Sequence, residues 1–225
     1  MSSIYNKNYI NVTYNNKKSS YPAKFCKHIF NEYDRKCKII DLGCGNGDFT
    51  EEIRKLNFNV HGIDINPPKG KHYKKVDIQH DKYPYKNNSV DIIFSKSVIE
   101  HLRDPEYMVN EVYRLLKPGG VFICMTPSWK HSFKEQFYID HTHYTPFTRY
   151  SLETICKLSG FKPSCKYFYQ LPLIWKTPIL HILRTILNTL QLPYKPFSKW
   201  NWWPSEVNKV IRFSREAMLI CKAKK

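Results

Sequence analysis

The sequence predicts an α/β fold in which a mainly parallel sheet carries helices on both faces. Three observations support that class. Ile39-Ile40-Asp41-Leu42 is an apolar strand that runs into the glycine loop Gly43-Cys44-Gly45-Asn46-Gly47-Asp48, and a helical pattern (Phe49, Ile53, Leu56) begins at once. Apolar runs of strand length recur at residues 59–63, 72–76, 90–95 and 121–125, and short strands alternating with helical periods mark parallel βα units. Helix punctuation separates them. Asp104-Pro105 supplies an N-cap and a proline at the first helical position, Met108, Val109, Val112, Leu115 and Leu116 share one face, and Pro118-Gly119-Gly120 ends the run. Residues 161–169 read as a sixth strand and 217–221 as a seventh.

The first strand–loop–helix unit has the form of a nucleotide-binding turn, because glycines let a ligand lie against backbone N–H groups at a helix N-terminus. A dinucleotide site needs G-x-G-x-x-G so that pyrophosphate rests on the helix dipole. Here the spacing is G-x-G-x-G, with Asp41 at the mouth of the loop. A carboxylate there repels pyrophosphate and suits a ligand that carries an ammonium group. Asp64 ends the second strand roughly 20 residues after the loop, where an acidic group meets a ribose. Asp77-Ile78 ends the third, offering an acceptor for an exocyclic amine beside an apolar residue for an adenine face.

At this point the chain resembles the class I S-adenosylmethionine-dependent methyltransferases. Asp41-Leu42-Gly43-Cys44-Gly45-Asn46-Gly47 is similar to that superfamily's first motif, Gly62-Ile63-Asp64-Ile65-Asn66-Pro67 to its second, Val76-Asp77-Ile78 to its third, and residues 115–127 to the stretch entering its fifth strand. The resemblance covers residues 36 to 165. It implies a Rossmann-like sheet of seven strands with the last antiparallel, and S-adenosyl-L-methionine held by Asp41, Gly43, Cys44, Gly45, Asp64, Ile65, Asp77, Ile78 and Ser95. A length of 225 residues fits one such domain. Its expected parts are an N-terminal arm and helix (1–36), a cofactor core with an acceptor loop (37–170), a helical insertion between strands six and seven (171–213) and the last strand (214–225).

Seven cysteines at irregular spacing form no C-x-x-C pair, and Cys44, Cys124 and Cys221 fall in or beside core elements. They read as reduced packing residues of a cytoplasmic protein. No signal-peptide core and no bilayer-spanning run is present in the sequence. The net charge of +17 is unevenly placed: residues 1–38 carry +6, residues 39–126 carry none, and residues 127–225 carry +11. The excess flanks the cofactor core, which points to an anionic partner such as a nucleotide-linked metabolite, nucleic acid or a membrane surface. Lys outnumbers Arg 28 to 8, however, and nucleic-acid readers lean on Arg.

Four segments bear on chemistry. Asn66-Pro67-Pro68-Lys69 has the look of an amine-directed methyltransferase signature, but it follows the second strand instead of the fourth and lacks the aromatic residue. Val98-Ile99-Glu100-His101-Leu102 follows the fourth strand and resembles the V-x-E-H-x segment of small-molecule O-methyltransferases; Ser97 stands where some of those carry a further Glu. Glu100 and His101 either face the methyl donor or simply position the next helix. The loop 137–148 is dense in His, Asp and aromatic residues, and a long loop of that kind is usually functional. It resembles a D-x-x-H-x-x-x-F/Y-T stretch of methyltransferases that act on sugars. His143 is the candidate base, oriented by Asp140, with a structural role and half of a metal site (His141-x-His143) as alternatives. No nearby Cys or second carboxylate completes such a site, so no metal is predicted.

The fourth segment, 177–192, is strongly amphipathic, with apolar residues at 179, 180, 182, 183, 186, 187 and 190. Trp175, Trp200, Trp202 and Trp203 flank it, with Lys176, Arg184, Lys195 and Lys199 nearby. It reads either as an interfacial anchor that makes the protein peripheral to a membrane, or as a lid or dimer helix. The resulting expectation is methyl transfer to a hydroxyl, less readily an amine, of a small metabolite, with a sugar or nucleotide-linked sugar as the first choice. An RNA methyltransferase and a non-catalytic binding subunit are the rivals.

Overall fold

The computed structural model describes residues 19–133, 137–175, 177, 179–190, 192, 194 and 204–225. The arm before residue 19, and Lys176, Lys195, Lys199, Trp200, Trp202 and Trp203, lie outside them. In chain order the elements are α1 (Tyr21–Phe30), β1 (Lys38–Leu42), α2 (Asp48–Lys55), β2 (Asn59–Asp64), β3 (Tyr73–Lys75), β4 (Val90–Lys96) and a 3₁₀ turn (Ile99–His101). They continue with α3 (Pro105–Leu115), β5 (Leu116–Pro127), α4 (Trp129–Ser132), α5 (Arg149–Leu158), β6 (Lys162–Tyr169), α6 (Ile179–Thr189), α7 (Ser205–Arg215) and β7 (Ala217–Lys224).

One seven-stranded sheet has the order β3-β2-β1-β4-β5-β7-β6. The pairs among β1 to β5 are parallel, and β7 runs antiparallel between β5 and β6. This is the Rossmann-like sheet with a reversed strand seven that the motifs imply. Chain order reverses between β1 and β4, and in open α/β sheets ligands bind at the carboxyl ends of strands beside such a switch point.

The strands are buried from both sides, which explains their nearly continuous apolar runs. One face is covered by α1 and α2, whose Phe25, Ile29, Phe30 and Ile53 pack with Ile39, Ile92 and Phe94 of the sheet. The other is covered by α3 and α5, whose Met108, Val112, Leu152 and Ile155 pack on Ile40, Ile93 and Phe122. The Asp104 carboxylate accepts from the Tyr107 amide at 3.1 Å, so the cap read from the sequence forms and α3 starts where Asp-Pro puts it.

The cysteine expectation needs one correction. Cys165 of β6 and Cys221 of β7 sit directly opposite each other, with Cα atoms 4.0 Å apart, and form a disulfide. Cys26, Cys37, Cys44, Cys124 and Cys156 are free thiols. Residues 56 apart in sequence give no spacing signal; only strand register brings the two sulfurs together.

Asp41 is a second departure. It lies beneath the glycine loop, 3% exposed, and accepts from the Thr50 hydroxyl of α2 at 2.6 Å. Burial pushes its carboxyl up to about 7 against the hydrogen bonds from the Thr50 side chain and backbone. A carboxyl raised on folding contributes stability that is present below its unfolded value and lost as pH rises through the folded one, here between roughly pH 4 and 7. Asp41→Asn keeps an acceptor for Thr50 and removes the charge. Melting curves should therefore show a smaller decline from pH 5 to 7.5 in Asp41→Asn than in the parent, about 2–4 °C for each kcal/mol in a chain of this size. Parallel declines in the two proteins would show that the Asp41 charge does not govern this pH window.

Candidate active site

A cleft of about 330 Å³ opens at the carboxyl ends of β1, β2 and β4, within the range of small-ligand sites. Its first wall is the glycine loop. Gly45 has a positive φ of 51°, and a Cβ there would meet no atom within 4 Å, so the missing side chain leaves room on the cleft side of the loop. Gly43, with φ of 77°, is needed for a different reason, since a Cβ there would lie 2.2 Å from the Val98 Cγ2. The Asp64 carboxylate fixes this wall: Oδ2 accepts from the Gly45 amide and Oδ1 from the Asn66 amide, both at 2.9 Å. Each carboxylate oxygen keeps a second lone pair that a diol can use.

Seven of the nine residues assigned to cofactor binding line the cleft, namely Gly43, Cys44, Gly45, Asp64, Ile65, Asp77 and Ile78. Asp41 does not, for the reason given above. Ser95 does not either. It is 1% exposed, one residue before the end of β4, and its hydroxyl has no hydrogen-bond partner among the described residues. The wall is built instead by Lys96, Ser97 and Val98, which sequence reasoning passed over, together with Asn46, Phe49 and Gln79. Ser97 adopts a left-handed φ of 57°, uncommon for a non-glycine residue, at the point where the chain leaves the sheet. Lys96 is half-buried with its ammonium 5.5 Å from the Phe49 ring centroid, and burial lowers its pKa.

The second side of the site is His101, which lines the cleft at the end of the 3₁₀ turn. The segment after β5 is stitched to this turn by backbone bonds. Tyr144 and Thr145 amides donate to the Glu100 carbonyl at 2.8 and 3.0 Å, and the Thr145 hydroxyl donates to the Leu102 carbonyl at 2.9 Å. That places Asp140, Thr142 and His143 against His101. The Thr142 hydroxyl donates to Asp140 Oδ1 at 2.6 Å and lies 2.9 Å from His101 Nδ1. With its own proton committed to a carboxylate, the hydroxyl can only accept from the imidazole. His101 is thereby held with Nδ1 protonated and the lone pair on Nε2. Burial first, then the neighbouring His143, lowers its pKa to about 4, so the ring is neutral near pH 7.

His143, the base expected from the sequence, does not line the cleft. Its ring centroid is 4.6 Å from that of His101, its Nδ1 is 2.6 Å from the Phe137 carbonyl, and its Nε2 is 3.9 Å from Asp140 Oδ2. Burial lowers its pKa. The structure thus joins His101, Asp140 and His143 in one cluster, with His101 at the cleft and the other two behind it. Thr142, fully buried and missed by sequence reasoning, is the link.

Glu100 completes the cluster. It has no exposed surface, its Oε2 accepts from the Thr126 hydroxyl at 2.9 Å, and its Oε1 has no partner. Burial pushes its carboxyl up to about 7. One donor atom each from Glu100, His101 and His143 lie within 4.8 Å of one another, which makes them the residues able to hold a metal ion among those described.

The cleft geometry gives a direct test of the cofactor assignment. Gly45→Val fills the space beside the backbone and should abolish S-adenosylmethionine binding in calorimetry. Asp64→Ala should weaken it by about 1–3 kcal/mol, the loss expected for charge-assisted hydrogen bonds. Unchanged affinity in both variants would remove the cofactor from this cleft.

Comparison with known proteins agrees with this geometry. A family described as a methyltransferase domain matches residues 14–165. A probable S-adenosylmethionine-dependent methyltransferase of Mycolicibacterium smegmatis is 36% identical over 97 residues, 40% of this chain and 38% of that protein. A ubiquinone biosynthesis O-methyltransferase of Cereibacter sphaeroides is 31% identical over 103 residues, 40% of each chain. The match spans less than half the length of either relative. Among solved structures, a SAM-dependent methyltransferase from Archaeoglobus fulgidus shares the fold with a TM-score of 0.64 at 21% identity, covering 92% of this chain and 95% of that one. Haemonchus contortus phosphoethanolamine N-methyltransferase 2, solved with S-adenosyl-L-methionine, shares it with a TM-score of 0.58 at 19% identity over 90% of this chain and 51% of that one. With its matched motifs and cleft, the chain belongs to the methyltransferase-domain family, and its cofactor is S-adenosyl-L-methionine.

Proposed function

We propose that this domain methylates a hydroxyl group of a small molecule, with His101 as the general base. The observation that carries the reading is the hydrogen-bonded chain from Asp140 through Thr142 to His101, because it leaves the imidazole lone pair on Nε2 of the one histidine of the cluster that lines the cleft. The bound cofactor supplies an electrophilic methyl group. A hydroxyl becomes an adequate nucleophile toward it only as its proton leaves, whereas a free amine already carries a lone pair. A neutral imidazole in a fixed tautomer therefore fits oxygen as the acceptor atom. Positive charge that develops on His101 stays on the imidazole, where the Asp140 carboxylate stabilises it and Thr142 orients the ring, so Asp140 and Thr142 act as positioning residues.

The acceptor class rests on two kinds of support. The loop 137–148 resembles those of sugar-directed enzymes, and the basic excess of residues 127–225 favours an anionic acceptor such as a nucleotide-linked sugar. Similarity to the Cereibacter sphaeroides ubiquinone biosynthesis O-methyltransferase favours a hydroxylated aromatic ring as a second class. Methyl-transfer assays against nucleotide sugars, simple quinols and RNA separate these classes, and transfer to RNA alone would overturn the small-molecule reading.

His101→Ala should lower kcat by roughly 10²–10⁴, the range for a lost general base, with cofactor affinity changed far less. His143→Ala should cost less, because that ring does not reach the cleft. With His101 depressed to about 4, the wild-type rate should be flat from pH 6 upward as far as this group is concerned and fall only as pH drops toward 4. A limb centred between pH 6 and 7 that disappears in His143→Ala would return the role of base to His143. Metal removal is a separate check: turnover should survive exhaustive chelation with EDTA. Loss of activity that Mg²⁺ or Mn²⁺ restores would reassign Glu100, His101 and His143 as metal ligands.

A further inference from the structure

We infer that α6 is a docking surface for an anionic phospholipid bilayer, on which the domain lies without crossing it. The helix buries none of its residues, whereas α1, α2, α3 and α5 each bury two or more. Ile179, Ile182, Leu183, Ile186 and Leu190 follow helical spacing along one stripe, and their exposures lie between 49% and 68%. Five large aliphatic side chains on one stripe are more than scattered surface hydrophobics and mark an interaction site. The helix is nonetheless fixed to the body of the protein. It packs against α7, the Arg184 guanidinium lies 3.9 Å from the Tyr169 ring centroid, and Arg215 donates to the Leu192 carbonyl just beyond its end at 2.9 Å.

Three occupants can cover such a face, and position and charge separate them. A lid over the reaction would bring the helix to the cleft, yet no residue of α6 lines it. A second copy would bring two like-charged surfaces together. Among the described residues, α6 and α7, which pack together, carry Arg184, Lys209, Arg212 and Arg215 against Glu206, so self-association sets net positive charge against net positive charge. An anionic bilayer offers both an apolar interior for the stripe and opposite charge for its surroundings. At eleven residues the helix is about 16 Å long, too short to span a membrane and suited to lying in its interface. No described helix is long and apolar enough to cross one.

The test uses the full chain with vesicles of phosphatidylcholine alone or mixed with phosphatidylglycerol. Cosedimentation should be at least about tenfold stronger on the anionic vesicles and weaken with added salt. Leu183→Asp with Ile186→Asp should reduce it at least about tenfold while S-adenosylmethionine affinity stays unchanged, which shows the core is folded. If that pair perturbs the fold, Leu183→Ser alone is read the same way, with a smaller reduction expected. Absence of pelleting, pelleting indifferent to these substitutions, or a dimer in light scattering that they convert to monomer would each overturn the proposal. The outcome is independent of which acceptor the domain methylates.

Discussion

The site depends on the burial of Glu100. A carboxylate with no exposed surface is costly unless its oxygens are engaged, and this one sits on a one-turn 3₁₀ helix that ends beside the cleft. Its position is fixed by bonds from two directions. Thr126, near the end of β5, donates to the side chain, and the amides of Tyr144 and Thr145 donate to the backbone carbonyl. The same residue therefore ties the end of one central strand to the turn after its neighbour and to the long loop that follows. His101 comes next in the chain and inherits that rigidity. Asp140, Thr142 and His143 reach His101 because the loop has been pinned at the adjacent carbonyl. The unsatisfied Oε1 is the weak point of this arrangement, and its proximity to two imidazoles sets base chemistry and metal binding against each other within one cluster.

The cofactor side uses a different economy of contacts. Parallel strands β1 and β2 deliver the glycine loop and Asp64 to the same level of the sheet, with Leu42 opposite Ile63 in register. Asp64 then holds the loop by accepting from the Gly45 amide, so a carboxylate that lines the cleft also sets the shape of its wall. Both halves of the site thus rely on an acidic residue, Asp64 at the end of β2 and Glu100 on the 3₁₀ turn, that accepts backbone N–H groups and fixes a neighbouring loop. The parallel core supplies rigid ends, and the loops supply the chemistry.

What was legible in the sequence follows from the range over which each signal acts. The strands, the α3 cap and seven cleft residues came from local patterns: apolar runs, Asp-Pro, glycine spacing, and acids at strand ends. Ser95 failed because a strand end does not announce which of its last residues faces the ligand. The side-chain period of two puts successive residues on opposite faces, so a one-residue error exchanges the core for the cleft. Lys96, Ser97 and Val98 were overlooked for the same reason. Asp41 failed because a carboxylate beside a glycine loop can point into the ligand site or beneath it, and the Thr50 hydroxyl that draws it beneath lies nine residues later on a helix. The choice between His101 and His143 and the Cys165–Cys221 bond were out of reach, because both depend on contacts between distant segments.

The distribution of charge links these local findings to the division of labour in the chain. The segment that builds the sheet core and cofactor wall is neutral, and within it Asp64 and Glu100 accept backbone and hydroxyl protons around the site. Repulsion from a cationic core would act against the compact state without serving the cofactor, which needs carboxylates at its hydroxyls and ammonium. The cationic excess is placed in elements added around that core, including the region between β6 and β7 that carries α6. Within that region α6 and α7 pack together, and Arg184 of α6 meets Tyr169 of the edge strand β6, away from the switch point between β1 and β4. Their surface can therefore change in charge and apolarity without disturbing the geometry at Asp64, Glu100 and His101.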